Sequence, residues 1–277
     1  MKKKQGVTKS EWTKKEITFV ISKYKAGFSR KEIARAYNEK FFGEFPERTE
    51  NSIKHCIDVH GTNVTKALPK VLIVDCETKP ILAYTWGVWE QNISPEMIVE
   101  DQALMSWSAK FLGEDKIYYQ DQRSNYKNLT NDKKLMLPLK DLLEQASIVI
   151  WHNGDSFDYG KINDRFIEHK IDPPSDYETL DTKKLAKSVF NFPHNSLAYL
   201  TGRFCKKYKK LTNKKFNGNK LWLECMKGNK AAWEEMRVYN ELDVLSLEEL
   251  FLILAPYVPK NRKVAAAMRT YNSKKKK

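Results

Sequence analysis

The stretch VLIVDCET, residues 71–78, joins four consecutive aliphatic residues to two acids. A run of aliphatic residues is typical of a strand that is buried on both faces. Side chains alternate along a strand, so Ile73, Asp75 and Glu77 share one face, with about 7 Å between the Cα atoms of the acids. Burying two neighbouring negative charges is costly unless a cation lies between them, which favours a divalent-metal site. A strand that ends at Val74, with two solvated acids in a turn, stays open as the ordinary alternative.

A second acid follows another apolar run. The segment SIVIWHNGDSFD, residues 147–158, predicts a strand that ends at Trp151 and a helix that begins near Phe157 and Asp158. Asp158 therefore lies where a strand ends and a helix begins, and it is able to face a shared site. An ordinary helix cap is the alternative. His152, at the strand end, is predicted to bond to backbone.

The third pattern is a late helical stripe. Apolar residues and two polar ones recur there at spacings of three and four: Met236, Tyr239, Asp243, Leu247, Leu250 and Leu254. The stripe directs Tyr239 and Asp243 inward from consecutive turns, and a buried aspartate needs a partner. A tyrosine bonded to a core aspartate is the alternative if no other acids converge.

Together, D-x-E, N-x-x-x-F-D and Y-x-x-x-D resemble the three motifs of the DEDD 3′ to 5′ exonuclease superfamily. The resemblance covers roughly residues 70–255 and is closest to the proofreading domains of family-B DNA polymerases and their stand-alone relatives. The matching residues are Asp75, Glu77, Asn153, Phe157, Asp158, Tyr239 and Asp243. A tyrosine in the third motif indicates the tyrosine branch of the superfamily.

This resemblance implies an α/β fold of the ribonuclease-H-like type, with a mixed sheet flanked by helices. It also implies two divalent cations, Mg²⁺ or Mn²⁺. The implied ligands are Asp75, Glu77, Asp158 and Asp243, with Asp75 bridging the ions. Tyr239 would orient the attacking water, because a phenol with an ordinary pKa of about 10 is a poor general base. The implied contacts to the terminal nucleotide are Thr78, Asn153 and Phe157.

The first 60 residues predict three short helices, with Ser29 and Thr49 as caps. Their sequence pattern resembles that of Myb/SANT-like helix-turn-helix DNA-binding domains. The pattern is W-T-x-x-E, then G-F-S-x-x-E-I-A, then R-T-x-N-S-I. In that family the third helix usually enters the major groove. The resemblance implies Arg48, Asn51, Lys54 and His55 as DNA contacts. A helical bundle that binds protein, or that only extends the catalytic domain, is the alternative.

The chain is basic, with 49 Lys and Arg against 35 Asp and Glu and a formal charge of +14. This balance favours a polyanionic partner, although lysines that only confer solubility would produce it too. In KKYKKLTNKKF, residues 206–216, lysines interleave with aromatic residues as in nucleic-acid-binding segments. The predicted phosphate contacts in this segment are Lys206, Lys207, Lys209 and Lys210.

Composition and turn signals divide the chain into four parts. The predicted parts are a helix-turn-helix domain (1–62), a linker (63–69), the exonuclease domain (70–259) and a disordered basic tail (260–277). Five strands are predicted, VLIVD, ILAYTWGVW, EMIVE, KIYYQ and SIVIW, and the chain after Asp158 is predicted to be mainly helical. Four cysteines without a CxxC pair and the lack of a long apolar run indicate a soluble, cytoplasmic protein with no membrane span.

The sequence thus predicts a metal-dependent 3′ to 5′ exonuclease acting on DNA. The expected partners are single-stranded 3′ ends, duplex DNA through the first domain, and a replication or repair protein. Three alternatives stay open: an RNA exonuclease, a structure-specific endonuclease on the same fold, and a non-catalytic DNA-binding or regulatory protein.

Overall fold

The computed structural model describes residues 11–61, 69–209 and 215–259, together with residues 264, 267, 268 and 271. The chain divides into two compact units, residues 1–69 and 70–277. Of the predicted linker, residues 63–68 lie outside the described residues.

The first unit contains three helices: α1 (Lys14–Lys25), α2 (Arg30–Lys40) and α3 (Glu50–His60). Thr13 and Ser29 each form a capping box with the glutamate three residues later, and the Thr49 side chain accepts a hydrogen bond from the Ser52 N–H. The predicted Ser29 and Thr49 caps are therefore confirmed. The core of the unit is apolar and aromatic, with Val20, Ile33, Tyr37, Phe41, Ile53 and Cys56 buried.

The larger unit is built on a five-stranded sheet in the order β5–β4–β1–β6–β7. Its strands are β1 (Val71–Thr78), β4 (Leu104–Phe111), β5 (Ile117–Asp121), β6 (Ile148–Trp151) and β7 (Glu178–Asp181), and β2 (Leu82–Ala83) pairs separately with β3 (Ile98–Glu100). Its helices are α4 (Lys133–Gln145), α5 (Asp158–Glu168), α6 (Thr182–Val189), α7 (Leu197–Phe204), α8 (Lys220–Met226) and α9 (Lys230–Leu254). β1, β6 and β7 are parallel, whereas β4 is antiparallel to both β1 and β5. The predicted mixed sheet flanked by helices is confirmed.

The two faces of the sheet have separate apolar cores, and β1 contributes to both. Leu72, Val74 and Cys76 pack in the core that contains residues of α4 and α5. Val71 and Ile73 pack in the core that contains residues of α6, α7 and α9. Because side chains alternate along a strand, the next two residues of the second face are the acids of β1. The alternation therefore directs both acids to the face of the sheet that α9 covers.

The strand directions bring the ends of several strands to one edge of the sheet. The parallel strands β1, β6 and β7 end at the same edge, and β4 begins there because it runs the opposite way. Thr78, at the end of β1, pairs with Leu104, at the start of β4. The C-terminal edge of β1, β6 and β7 is called the site edge below.

Two strands were not predicted, and one predicted strand is largely absent. β4 is buried at all eight positions, and β7 lies in the part of the chain that was predicted to be mainly helical. Of the predicted strand ILAYTWGVW, only Leu82 and Ala83 pair with another strand. Trp107 is a core residue, whereas Trp86 and Trp89 are exposed.

Four residues of the predicted disordered tail are described. Val264, Ala267 and Met268 are buried in the same core as α9, and Tyr271 packs against that core; all four are helical. The prediction of disorder is therefore wrong at these four positions, because their side chains pack against an apolar core. The other residues from 260 to 277 lie outside the described residues.

Candidate metal centre

Three carboxylates converge at the site edge. Asp75 and Glu77 come from β1 and Asp243 comes from α9, and one oxygen of each lies within 4.8 Å of the others. Asp243 is buried, and the two β1 acids are half-buried. Two unit charges at such a distance repel by roughly 3.5 kcal/mol at an effective dielectric constant of about 20. The arrangement therefore favours a bound cation or a bound proton.

Asp75 is held by an asparagine of α9. The buried Asn240 side chain donates one hydrogen bond to Asp75 Oδ2, at 2.6 Å, and one to the Asp75 carbonyl, at 3.2 Å. Its own Oδ1 accepts a hydrogen bond from Ser106 Oγ on β4, at 3.2 Å. Asn240 thus ties the first acid of β1 to α9 and to the neighbouring strand.

Glu77 is held by a tryptophan of α8. Trp222 Nε1 donates a hydrogen bond to Glu77 Oε2 at 3.1 Å. The Trp222 ring meets the Tyr239 ring edge to face, with 5.7 Å between centroids. Tyr239 is buried one helical turn before Asp243, as the stripe predicted. Trp222 therefore links the second acid of β1 to the predicted water-orienting tyrosine.

Asp158 is buried at the first residue of α5, but it is not a member of the group of three. Its Oδ1 accepts a hydrogen bond from the Cys76 N–H at 3.0 Å. This bond fixes the carboxylate against β1, at the residue between the two acids of that strand. Its role as a metal ligand stays a prediction.

Cys76 points to the opposite face of β1, where it is buried in the α4 and α5 core. Burial raises the pKa of the Cys76 thiol well above its usual range, and the carboxylates of Asp158, Asp75 and Glu77 raise it further. The thiol is therefore protonated at neutral pH and packs as a small apolar group.

The turn after β6 has an unusual backbone that Asp181 secures. Asn153 has a φ of 72°, in the left-handed region, and its N–H donates to Asp181 Oδ1 at 3.0 Å. The Asp155 N–H donates to Asp181 Oδ2 at 3.3 Å, and the N–H groups of Lys183 and Lys184 also donate to Asp181. One carboxylate at the end of β7 thus receives hydrogen bonds from the turn and from the start of α6.

Two further features of this turn restrict its sequence. A Cβ at Gly154 would lie 2.1 Å from the Trp151 ring, so only glycine fits there without displacing the ring. Asn153 Oδ1 accepts a hydrogen bond from Lys183 Nζ at 3.0 Å. Phe157 is half-buried at the start of α5, and Thr78 is half-buried at the end of β1. These predicted nucleotide contacts all lie at the site edge, and their role stays a prediction.

His152 has the structural role that the sequence predicted. Its Nε2 lies 3.0 Å from the carbonyl oxygen of Asn195, and its Nδ1 lies 2.9 Å from Thr182 Oγ1. The ring thus joins the end of β6 to α6 and to the segment before α7.

Arg48 is not available as a DNA contact. Its guanidinium is buried, donates to Glu16 Oε1 at 2.8 Å and stacks over the Trp12 ring at 4.0 Å. The prediction is wrong for this residue, because the arginine precedes α3 and serves the core of the helical unit. Asn51, Lys54 and His55 are exposed on α3, so their predicted role stays open.

The lysine-rich segment after α7 begins at a defined anchor. The N–H groups of Lys206, Lys207 and Tyr208 all donate to the Glu249 carboxylate of α9, at 2.7 to 3.2 Å. The side chains of Lys206, Lys207 and Lys209 are exposed, and Lys210 lies outside the described residues. Their predicted phosphate contacts stay a prediction.

Sequence reasoning did not single out Trp222 or Asn240. Asn240 lies within the third motif, directly after Tyr239, and that position was a usable signal. Trp222 carried no such signal, because it lies outside the three motifs. Across the described segments, no helix combines the length and the apolar character that a membrane span requires.

Comparisons with known proteins agree with this architecture. Residues 109–255 match the RNase_H superfamily. The chain is 24% identical over 208 residues to the PolC-type DNA polymerase III of Ureaplasma parvum serovar 3, a match that covers 66% of this chain and 13% of that protein. The structure of the family B DNA polymerase from the hyperthermophilic archaeon Pyrobaculum calidifontis superposes with a TM-score of 0.51 at 12% identity, covering 72% of this chain and 27% of that one. The chain therefore spans about a quarter or less of the proteins it matches.

The matched fold and the two polymerase relatives fit a DEDD exonuclease-like superfamily, as the three motifs predicted. The Myb-like character of the first unit stays a prediction. More than half of the sequence lies in the matched range, and the chain belongs to the RNase H superfamily.

Proposed function

We propose that this protein is a 3′ to 5′ exonuclease that hydrolyses DNA phosphodiester bonds with two divalent cations. The observation that carries the proposal is the convergence of three carboxylates from β1 and α9 within 4.8 Å. The RNase H superfamily fold and the DNA polymerase relatives support a nuclease-type chemistry on nucleic acid.

The donor set fits Mg²⁺ or Mn²⁺. All of the candidate ligand atoms are carboxylate oxygens, which hard divalent cations prefer, and their mutual repulsion is relieved by positive charge. Asp75, Glu77 and Asp243 would hold the ions, with Asp158 as the fourth ligand beside the Cys76 N–H. When bound, the ions would supply positive charge at the scissile phosphate and lower the pKa of water.

Neighbouring side chains hold the candidate ligands in position. Asn240 fixes the Asp75 carboxylate through a 2.6 Å hydrogen bond, and Trp222 fixes Glu77. Tyr239 is packed against Trp222, so its phenol has a defined place one turn from Asp243. We propose that Tyr239 orients the attacking water and that Thr78, Asn153 and Phe157 contact the terminal nucleotide at the site edge.

DNA is the proposed substrate because both named relatives are DNA polymerases and because the chain has a net charge of +14. The exposed Asn51 and Lys54 of α3 are the proposed contacts of the first unit with duplex DNA. Lys206, Lys207 and Lys209 are the proposed contacts with the phosphates of the substrate strand. A replication or repair protein is a proposed further partner.

End-labelled oligonucleotides test the proposal. Single-stranded and duplex DNA and RNA, labelled at the 5′ end, are incubated with Mg²⁺ or Mn²⁺ and resolved by length. We expect DNA to shorten in single-nucleotide steps from the 3′ end, and both Asp75→Asn and Asp243→Asn to abolish shortening. Asp141→Asn, the same change at an exposed position of α4, is the matched control and should leave the rate unchanged.

Other outcomes replace the proposal by a specific alternative. Shortening of RNA but not DNA would make the protein an RNA exonuclease, and internal products would make it an endonuclease. Tight, salt-sensitive binding without any cleavage would make it a nucleic-acid-binding protein. Full activity in Asp243→Asn would refute the assignment of the metal centre.

A further inference from the structure

The loop between β2 and β3 exposes large apolar side chains to solvent. Tyr84, Trp86, Val88 and Trp89 are 76%, 97%, 85% and 84% exposed. Single exposed apolar residues are ordinary, but four within six residues, two of them tryptophans, form a patch of the kind that marks a binding surface. Residues 81–100, which carry these side chains, are called the aromatic hairpin below.

The aromatic hairpin has a defined structure. Leu82 pairs with Glu100, and the Tyr84 N–H donates to the Met97 carbonyl at 2.9 Å. At its base the fully buried Lys79 donates from Nζ to Glu100 Oε2 at 3.0 Å. At its tip the Gln91 amide donates to the Trp89 carbonyl at 2.6 Å. The exposed rings are therefore presented on a scaffold that is bonded at both ends.

The hairpin grows directly out of the site edge. It connects the end of β1 to the start of β4, and Trp86 and Trp89 follow Glu77 by nine and twelve residues. Twelve residues of extended chain span at most about 41 Å, which is the length of about twelve stacked nucleotides at 3.4 Å each. A strand of about twelve nucleotides with its end at the carboxylates is therefore long enough to reach the exposed rings.

The charge of the aromatic hairpin disfavours contacts with phosphates. From residue 80 to residue 109 the sequence contains no lysine or arginine, whereas it contains the acids Glu90, Glu96, Glu100 and Asp101. Such a segment cannot neutralise phosphates. Aromatic rings bind single strands by stacking on the bases, and this contact needs no cation and no particular base.

We propose that the aromatic hairpin binds the bases of the single strand that enters the metal centre, by stacking on Trp86 and Trp89 without phosphate contacts. This inference rests on the proposed function, because it places the substrate strand at the site edge. The phosphate contacts belong to basic residues elsewhere in the chain. The two contributions respond differently to salt, since only phosphate contacts release counterions.

The experiment measures the affinity of the full chain for 5′-labelled oligothymidylate of about twelve nucleotides, with EDTA present so that the strand stays intact. The affinity of Trp86→Ala/Trp89→Ala is compared with that of the unsubstituted protein from about 50 mM to about 200 mM salt. We expect Kd of the double variant to be about tenfold higher at every salt concentration. The slope of log Kd against log salt concentration should therefore be unchanged. Trp86→Phe/Trp89→Phe keeps two stacking rings and should restore most of the affinity.

Two comparisons make the result specific. Ile167→Ala removes a side chain of α5 that is equally exposed, at 81%, and should leave Kd unchanged. A trimer of thymidylate, which is too short to extend far from the carboxylates, should bind the unsubstituted protein and the double variant with equal affinity.

Unchanged affinity of the double variant for the long oligonucleotide would overturn the proposal. A loss that disappears at high salt would also overturn it, because stacking is not electrostatic. Cleavage by the unsubstituted protein is measured separately in Mg²⁺. Absence of cleavage would refute the proposed nuclease function. The affinity measurement does not depend on cleavage, so it would still test stacking on the tryptophans.

Discussion

Replacing Asn240 by leucine tests how the structure holds Asp75. The substitution keeps the approximate size of the buried side chain and removes both donors, the one 2.6 Å from Asp75 Oδ2 and the one 3.2 Å from the Asp75 carbonyl. A hydrogen bond to a charged group contributes about 1.5 to 3 kcal/mol, which corresponds to roughly a 10- to 100-fold change in an equilibrium constant. Loss of a residue that orients a metal ligand typically has the same size of effect.

The assay is a Mg²⁺ titration of 3′ shortening, with Mn²⁺ binding to the protein measured by calorimetry as a readout that does not need activity. We expect the half-saturating metal concentration to rise about 10- to 100-fold, whereas the rate at saturating metal falls less. Ser106 loses its acceptor in this variant, so Ser106→Ala/Asn240→Leu removes the orphaned hydroxyl and separates its cost from the effect on metal affinity.

Asn191→Leu is the matched control, because it makes the same chemical change at an exposed position between α6 and α7. It should leave the metal titration unchanged. If the half-saturating metal concentration of Asn240→Leu stayed within twofold of the original, then Asn240 would not position Asp75 for metal, and the inferred role would have to be abandoned.

Three further predictions follow from particular contacts. Trp222→Phe keeps an aromatic ring and removes the 3.1 Å bond to Glu77, so activity should fall about tenfold while the urea midpoint changes little. Gly154→Ala forces a Cβ against the ring of Trp151 and should lower the free energy of unfolding by about 2 kcal/mol, measured by urea denaturation; an unchanged midpoint would contradict the close contact. Hydrogen bonds from Tyr37, Thr13 and Arg48 outweigh the effect of burial and lower the pKa of Glu16 to about 2. Its contribution to stability is therefore present above its ordinary pKa of 4.5, and about 2 kcal/mol is lost by about pH 3; Glu16→Gln should remove this dependence in acid-unfolding curves.

The site acids were predictable because each lies in a segment with a strong periodic signal. Alternation along β1 placed Asp75 and Glu77 on one face, and the stripe of α9 directed Asp243 inward. The structure brings these three together. Asp158 was correctly placed at the start of a helix, but local pattern did not reveal that its carboxylate bonds to the backbone of β1.

β4 was not predicted because one of its two buried faces is polar. Ser106 and Ser108 lie opposite Glu77 and Asp75 in the β1 register, and Lys110 is buried in an ion pair with Glu248. Such residues at alternate positions resemble the solvent side of a surface strand. The partners of Ser106 and Lys110 come from α9, more than 130 residues away, so only the tertiary structure shows that this face is covered.

Arg48 illustrates the opposite error. A charged residue at the start of a helix resembles a surface contact, and the sequence does not show that Glu16 lies buried 32 residues earlier. The exposed tryptophans of the aromatic hairpin also depart from the local pattern, since large aromatic residues are usually buried. In both cases the burial of the side chain depends on contacts with residues distant in sequence, which the local sequence pattern does not show.

The hydrogen bonds to Asp181 have a consequence for the order in which the chain folds. The N–H groups of Asn153 and Asp155 reach this carboxylate only when β7 has paired with β6, although 26 to 28 residues separate the partners. The turn that leads from β6 to Asp158 therefore depends on the docking of β7 for the hydrogen bonds that secure its left-handed backbone. A chain in which β7 has not docked, even one with β1 and β4 already paired, would lack these bonds and the support that they give to the turn before Asp158.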